Sequence, residues 1–237
     1  MRDRRHRPSS IAAALALGAL SLAALAPLPR AAVAQERADA ATVAAWVQTF
    51  YDQTRTMSAR FEQRYRNRVY QRTETSRGRV RFEKPGKMRF DYDQPNGKII
   101  VSDGQQLTVY EPPDAPGASG QYYQQPMSDA QLPAALSFLT GTGRLDRDFT
   151  FREGRAELYP EGRVLELRSR RPTPHYSRIL LFVDDDPARR GVVHRVIIQD
   201  QAGNTNQFNF TEQQFNRDID DSVFRWRPPA RARRIQP

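Results

Sequence analysis

The chain has 237 residues, a formal net charge of +10, 27% charged side chains and no cysteine. Without a thiol there is no disulfide, no Cys-ligated metal, no thiol nucleophile and no acceptor residue for lipid attachment. Basic residues are interspersed with acidic ones, with no run resembling a nucleic-acid-binding arm.

Residues 1–34 read as a cleaved signal peptide. Arg2, Arg4, Arg5 and Arg7 precede the apolar stretch IAAALALGALSLAALA (11–26), and Ala32-Val33-Ala34 offers a small-x-small cleavage site. The apolar stretch is short for a membrane span. Polar sequence after Ala34 argues against the competing reading, a retained anchor. Export places the working chain in a bacterial periplasm or outside the cell and makes nucleic acid an improbable partner. Residues 35–237 keep 32 basic and 26 acidic side chains, net +6. That length suits a single domain with a substantial core.

The first predicted element is a helix over 39–54. Asp39 caps it, and Val43, Trp46, Val47 and Phe50 recur at helical spacing. From Met57 the pattern changes to period two. Strands are predicted at 57–69, 75–83, 87–93, 98–102, 106–111 and 120–125. A second group follows at 148–153, 163–170, 176–184, 192–199, 205–213 and 223–227. Asn96-Gly97 and Asp103-Gly104 are strong hairpin signals, with Glu161-Gly162 and Ala202-Gly203-Asn204 weaker ones. Tight turns between successive strands imply an antiparallel meander. PPDAPGASG (112–120) reads as a longer hairpin loop, and SDAQLPAALSFLTG (128–141) as a second helix with Leu132, Leu136 and Leu139 on one face.

The strands are amphipathic. Val80 and Phe82, Met88 and Phe90, Leu165 and Leu167, and Phe208 and Phe210 share one face of their strands. Two short helices, each about 10–12 Å wide, cannot cover so many strands spaced about 4.8 Å apart. The sheet must therefore curl around its apolar face, with the helices in its mouth. Whether side chains fill that curl, as in small barrels, or leave a binding cavity is open from periodicity alone.

Catalytic constellations are scarce. His6 lies in the leader, His175 in a Pro-bounded turn and His194 in a strand, and no HExxH, GxSxG or P-loop pattern occurs. Asp184-Asp185-Asp186 lacks the Gly and distal Glu of a calcium loop and reads as a solvated turn. Asp220 and Asp221 read as turn formers. No catalytic residue, metal ligand or cofactor site is expected. Residues 35–237 hold 29 arginines but three lysines, Lys84, Lys87 and Lys98. Strand parity puts Lys84 on the apolar face, where its ammonium must find water at a strand end or acceptors such as the C-terminal carbonyls of the 128–141 helix.

The ordered set of these segments resembles the LolA family of periplasmic outer-membrane lipoprotein carriers. It comprises Phe61-x-Gln63, G-x-V-x-F-x-K-P-G-K-M-R-F-x-Y-x-x-P from Gly78 to Pro95, and V-S-D-G-x-x-L-x-x-Y-x-P from Val101 to Pro112. LPAALSFLTG with Leu145 and Phe149, and F-R-W-R-P-P (224–229), complete it. The resemblance implies a mainly β fold with short helices, a curved, unclosed antiparallel β-barrel (half-barrel) whose helical lid covers a hydrophobic cavity. It implies a monomeric, cofactor-free carrier of acylated lipoproteins, working between a LolCDE-type inner-membrane ABC exporter and a LolB-type outer-membrane acceptor. Phe61, Val80, Phe82, Met88, Phe90, Tyr92, Leu136 and Leu139 are the expected cavity and lid residues. The family favours Arg before the Pro of the corner, bonded to lid-helix carbonyls as a latch; Lys84 stands there and lacks the fixed fork of Arg. The alternative reading is a periplasmic carrier or sensor of another amphiphile, a glycolipid or a mislocalised lipoprotein. A two-domain sensor has no room in this length.

Overall fold

The computed structural model describes residues 38–115, 117–127, 136–141 and 143–236. The predicted leader and residues 128–135 of the second predicted helix lie outside them. Among the described residues, no helix is long and apolar enough to cross a membrane.

Helix α1 spans Ala40–Asp52, and the Asp39 carboxylate accepts the Thr42 N–H at 2.7 Å as its cap. Its buried face consists of Val43, Ala44, Val47, Gln48 and Tyr51. Trp46 and Phe50, expected on that face, only flank the core. The face is turned toward Tyr51 because the i, i+4, i+8 row through Val43, Val47 and Tyr51 meets the sheet.

Twelve strands form one continuous sheet: β1 (Thr56–Asn67), β2 (Arg72–Glu83), β3 (Lys87–Tyr92), β4 (Ile99–Asp103), β5 (Gln106–Glu111), β6 (Gln121–Pro126), β7 (Phe149–Glu153), β8 (Gly162–Ser169), β9 (Arg178–Asp184), β10 (Val193–Gln199), β11 (Thr205–Phe215) and β12 (Arg233–Arg234). Their order is β12-β6-β5-β4-β3-β2-β1-β11-β10-β9-β8-β7, so β7 and β12 are free edges and the barrel is unclosed. Two meanders of successive antiparallel strands join where β1 meets β11, pairing Phe61 with Phe210 and Gln63 with Phe208. Among the described residues the one parallel pair is β12 on β6. Three hairpin turns fall where the Gly dipeptides place them, Gly97, Gly104 and Gly203 adopting positive φ, whereas Gly162 is already the first residue of β8. In the β4–β5 turn the Asp103 carboxylate also accepts the Gln105 and Gln106 N–H groups.

The last predicted strand, 223–227, does not form. Asp221–Phe224 is a single 3-10 turn capped by the Asp220 side chain through the Ser222 N–H, which buries Phe224. Trp226 then lies beside Tyr110, centroids 5.3 Å apart. The Asp220 cap draws residues 221–224 into the turn, and the edge of β6 is taken instead by β12.

Two short helices sit with α1. Helix α2 (Ser137–Thr140) is the described part of the second predicted helix, and α3 (Leu145–Asp148) leads into β7. Gln48 of α1 ties α3 to it: its Oε1 accepts the Leu145 N–H at 2.8 Å, and its Nε2 donates to Asp52 of α1 at 2.7 Å. A buried polar side chain satisfied in this way costs little and orients what it touches.

Candidate functional site: the apolar concavity and its helical cover

Every predicted cavity and lid residue reaches one apolar cluster. Phe61, Val80, Phe82, Met88, Phe90, Tyr92, Leu136 and Leu139 are all buried there. The alternation of β1, β2 and β3 aims Phe61, Phe82, Phe90 and Tyr92 to one side. Their rings meet edge-on: Phe61 to Phe90 at 5.4 Å, Phe61 to Tyr92 at 5.0 Å and Phe82 to Phe90 at 5.7 Å between centroids. Phe61 rests over Gly78, where a Cβ would come within 2.9 Å of its ring and 2.1 Å of the Asp91 carbonyl oxygen. That strand glycine is what lets the ring lie flat to the backbone.

The cover meets this face through Tyr51, Phe138, Leu136 and Leu139. Tyr51 and Phe138 pack edge to face at 5.2 Å. Tyr51, absent from the predicted set, makes three anchors: its ring, its hydroxyl, which accepts the Val193 N–H at 3.3 Å, and its carbonyl. The spacing Val43-Val47-Tyr51 is the sequence signal that could have found it. Burial pushes the Tyr51 hydroxyl far above the usual tyrosine range, against the opposing Val193 hydrogen bond and Arg189 charge. Burial does the same to Tyr92.

Lys84 begins the corner between β2 and β3. Its ammonium donates to the Tyr51 carbonyl, at the C-terminal end of α1. The carbonyl it finds thus belongs to the first helix. The 137–140 helix meets the same corner through backbone, the Gly86 N–H donating to the Thr140 carbonyl at 3.0 Å. The Lys84 methylenes lie against Gly141, where an added Cβ would meet them at 2.7–3.0 Å. Gly141 has φ +71°, the left-handed C-terminal stop of α2. Partial burial pushes the Lys84 ammonium below its ordinary pKa, with the Asp52 carboxylate opposing.

A second clasp holds α1 from the other meander. The β9–β10 turn passes so close that a Cβ on Gly191 would lie 2.4 Å from the Trp46 carbonyl, while the Arg190 guanidinium stacks 4.8 Å from the Trp46 ring. Asp184 shapes this turn: it accepts from Arg189 at 3.0 Å, contacts His194 Nε2 at 3.0 Å and receives the Asp186 N–H. The aspartate run is therefore built into the fold at Asp184, and Asp185 pairs with Arg163 at 3.0 Å. Among the described residues no group of three or more His, Asp or Glu side chains is arranged to hold a metal.

An unclosed antiparallel sheet with its aromatic concave face under short helices defines a helix-covered half-barrel. The family model described as "Outer membrane lipoprotein carrier protein LolA" matches residues 52–227, and the chain belongs to that family. It is 27% identical over 183 residues to an outer-membrane lipoprotein carrier protein of Nitrosomonas europaea, covering 77% of this chain and 84% of the relative. A carrier of the same description from Alkalilimnicola ehrlichii is 28% identical over 193 residues, 81% and 83% of the two chains. Among solved structures, a LolA superfamily protein of Nitrosomonas europaea aligns with TM-score 0.42 at 16% identity, over 79% of this chain and 98% of that one.

Proposed function

We propose that the protein is a periplasmic, non-enzymatic carrier that takes up the acyl chains of lipoproteins released from the inner membrane and delivers them to an outer-membrane acceptor. The observation that carries this reading is the way α1 and α2 meet an aromatic concave face. The cover is apolar where it touches that face, and its polar contacts with the sheet lie at its margins, at Lys84, Gly86, Val193 and Arg190. Each CH₂ transferred from water contributes about 0.8 kcal/mol, so three acyl chains have ample driving force to displace such a cover. Phe138, Leu136 and Leu139 pack into the interior. Binding then exchanges one apolar filling for another, which lowers net affinity and permits release.

In this scheme Lys84 is the latch between the β2–β3 corner and α1. Release comes from a LolCDE-type ABC exporter and delivery goes to a LolB-type acceptor, and the carrier needs no cofactor and works as a monomer. Membership of a family described as lipoprotein carriers supports the cargo class. The test adds the purified exported protein to spheroplasts that retain newly made lipoproteins. A stoichiometric acylated complex in the supernatant is expected. Failure to release lipoprotein, with another acyl lipid found in protein from its native envelope, would overturn the cargo in favour of a different amphiphile.

A further inference from the structure

The β1–β2 hairpin runs past the sheet it belongs to. Strand β3 pairs with β2 only from Gly78 to Glu83, and β11 pairs with β1 only as far as Arg66. The tip beyond, residues 68–71, carries the two most exposed large apolar side chains among the described residues, Val69 at 76% and Tyr70 at 80%. Exposure there is built in. The Asn67 carboxamide oxygen accepts the N–H groups of both Val69 and Tyr70 at 3.0 Å, Gln71 takes a left-handed φ of 51°, and its amide donates to the Arg68 carbonyl at 2.8 Å. From the side, the β10–β11 turn braces the tip: the Asn204 side chain accepts the Arg68 N–H at 2.9 Å, and the Arg68 side chain lies against Gly203.

Charge follows the same pattern. Arg64, Arg66, Arg68 and Arg72 are all exposed, and residues 64–72 hold no carboxylate. Glu74 pairs with Arg72 at 3.3 Å and cancels its charge, while Asp200 holds the backbone and side chain of Asn204, so the local positive excess rests on Arg64, Arg66 and Arg68. Arg66 spends one nitrogen on Gln71. A fixed turn presenting one aliphatic and one tyrosine side chain inside a ring of arginines matches an anionic bilayer surface. Tyrosine seats at the headgroup boundary, Val adds apolar burial, and the guanidiniums meet lipid phosphates. At the base of the hairpin a pocket of about 300 Å³ opens between Tyr65, Glu74, Asn96 and Lys98, and its floor reaches the core residues Tyr92 and Phe208. The strands run about two residues beyond that opening, roughly 7 Å at about 3.3 Å per residue, before the turn.

We infer that the β1–β2 tip is a membrane-docking element that seats on anionic phospholipid through Val69 and Tyr70, with Arg64, Arg66 and Arg68 supplying the charge. Docking holds the mouth lined by Tyr65 and Lys98 against the headgroup layer. This goes beyond carriage and is read without cargo, so its failure leaves the carrier reading untouched. The exported protein is mixed with vesicles containing about one-third phosphatidylglycerol, or phosphatidylcholine alone, and bound protein is measured by flotation. Association is expected with the anionic vesicles only, weakening steeply with added salt. V69S/Y70S should lower the partition about tenfold, and each of R64Q, R66Q and R68Q about fivefold. Unchanged urea midpoints in these variants separate docking from folding. Absence of binding to anionic vesicles, or binding that the variants leave unchanged, overturns the inference. Slower cargo delivery by V69S/Y70S with no vesicle binding also overturns it, assigning the tip to a protein partner instead.

Discussion

At one end of β2, Val80 and Phe82 are fully buried beside α2; at the other, Arg72, Thr73, Glu74 and Thr75 are exposed on both faces. The strand is continuous and paired to β1 throughout, from Asn67–Arg72 to Thr56–Glu83. What differs is the third strand and the cover. Only Gly78–Glu83 has β3 alongside, and only the Glu83 end turns into the corner that holds α1 and α2. Hydrogen bonding along one ladder is thus nearly uniform, whereas burial is decided by what packs on the second edge and on the face. One strand thereby serves both a packed interior and a free projection.

Substitutions at the two ends should separate these roles. The largest effect is expected for Phe82→Ala, which empties a fully buried aromatic site touching Phe90. Its urea unfolding should show about 3–5 kcal/mol lost. A loss below about 1 kcal/mol would mean the interior beside the cover is loosely packed.

Alkaline pH comes next. Tyr51 and Tyr92 are held protonated by burial, so their folded pKa values lie above the unfolded value near 10. Below that value both states are protonated and nothing changes. Above it the unfolded chain loses the protons first, and stability falls. Two such groups remove about 2–3 kcal/mol by pH 11, with half-buried Lys84 offsetting part, because its depressed pKa acts in the opposite sense. Tyr92→Phe should remove about half of that alkaline loss, measured by urea midpoints from pH 8 to 11.

Gly141→Ala strains a left-handed residue and pushes into the Lys84 methylenes. A loss of about 1–2 kcal/mol is expected, with faster amide exchange in α2. Lys84→Met should cost about 1 kcal/mol by removing the donor to the Tyr51 carbonyl, and Lys84→Arg should restore most of it. Equal exchange rates of the α1 amides in Lys84→Met and the parent would remove the latch role. The smallest effect belongs to the projecting end: Val69→Ser should move stability by less than about 0.5 kcal/mol, because nothing packs on it. A larger change would show that the tip is part of the core.

Much of this architecture was legible because it is local. The period-two runs of β2 and β3, the Asn96-Gly97 and Asp103-Gly104 turns and the Asp39 cap each express a preference carried by neighbouring residues, and each appears within a few positions of its expected place. The 223–227 segment shows the limit. Val223, Phe224, Arg225 and Trp226 alternate as a strand does, yet Asp220 caps a 3-10 turn there and β12 forms at Arg233–Arg234. Four residues of alternation do not reveal whether a ladder edge is free to receive them.

Strand polarity, turn positions and the identity of the apolar face were determined by the sequence alone, since backbone sterics and side-chain alternation act over a few residues. Which helix carbonyl receives Lys84, that Tyr51 joins the corner to the β9–β10 turn, and that Val69 and Tyr70 stay uncovered were decided only by the tertiary structure. Those facts depend on how far β3 and β11 extend beside the hairpin and on where α1 settles across two meanders. Contacts between residues 33 to 142 positions apart, such as Lys84 with Tyr51 and Val193 with Tyr51, are set by the closing of the whole sheet.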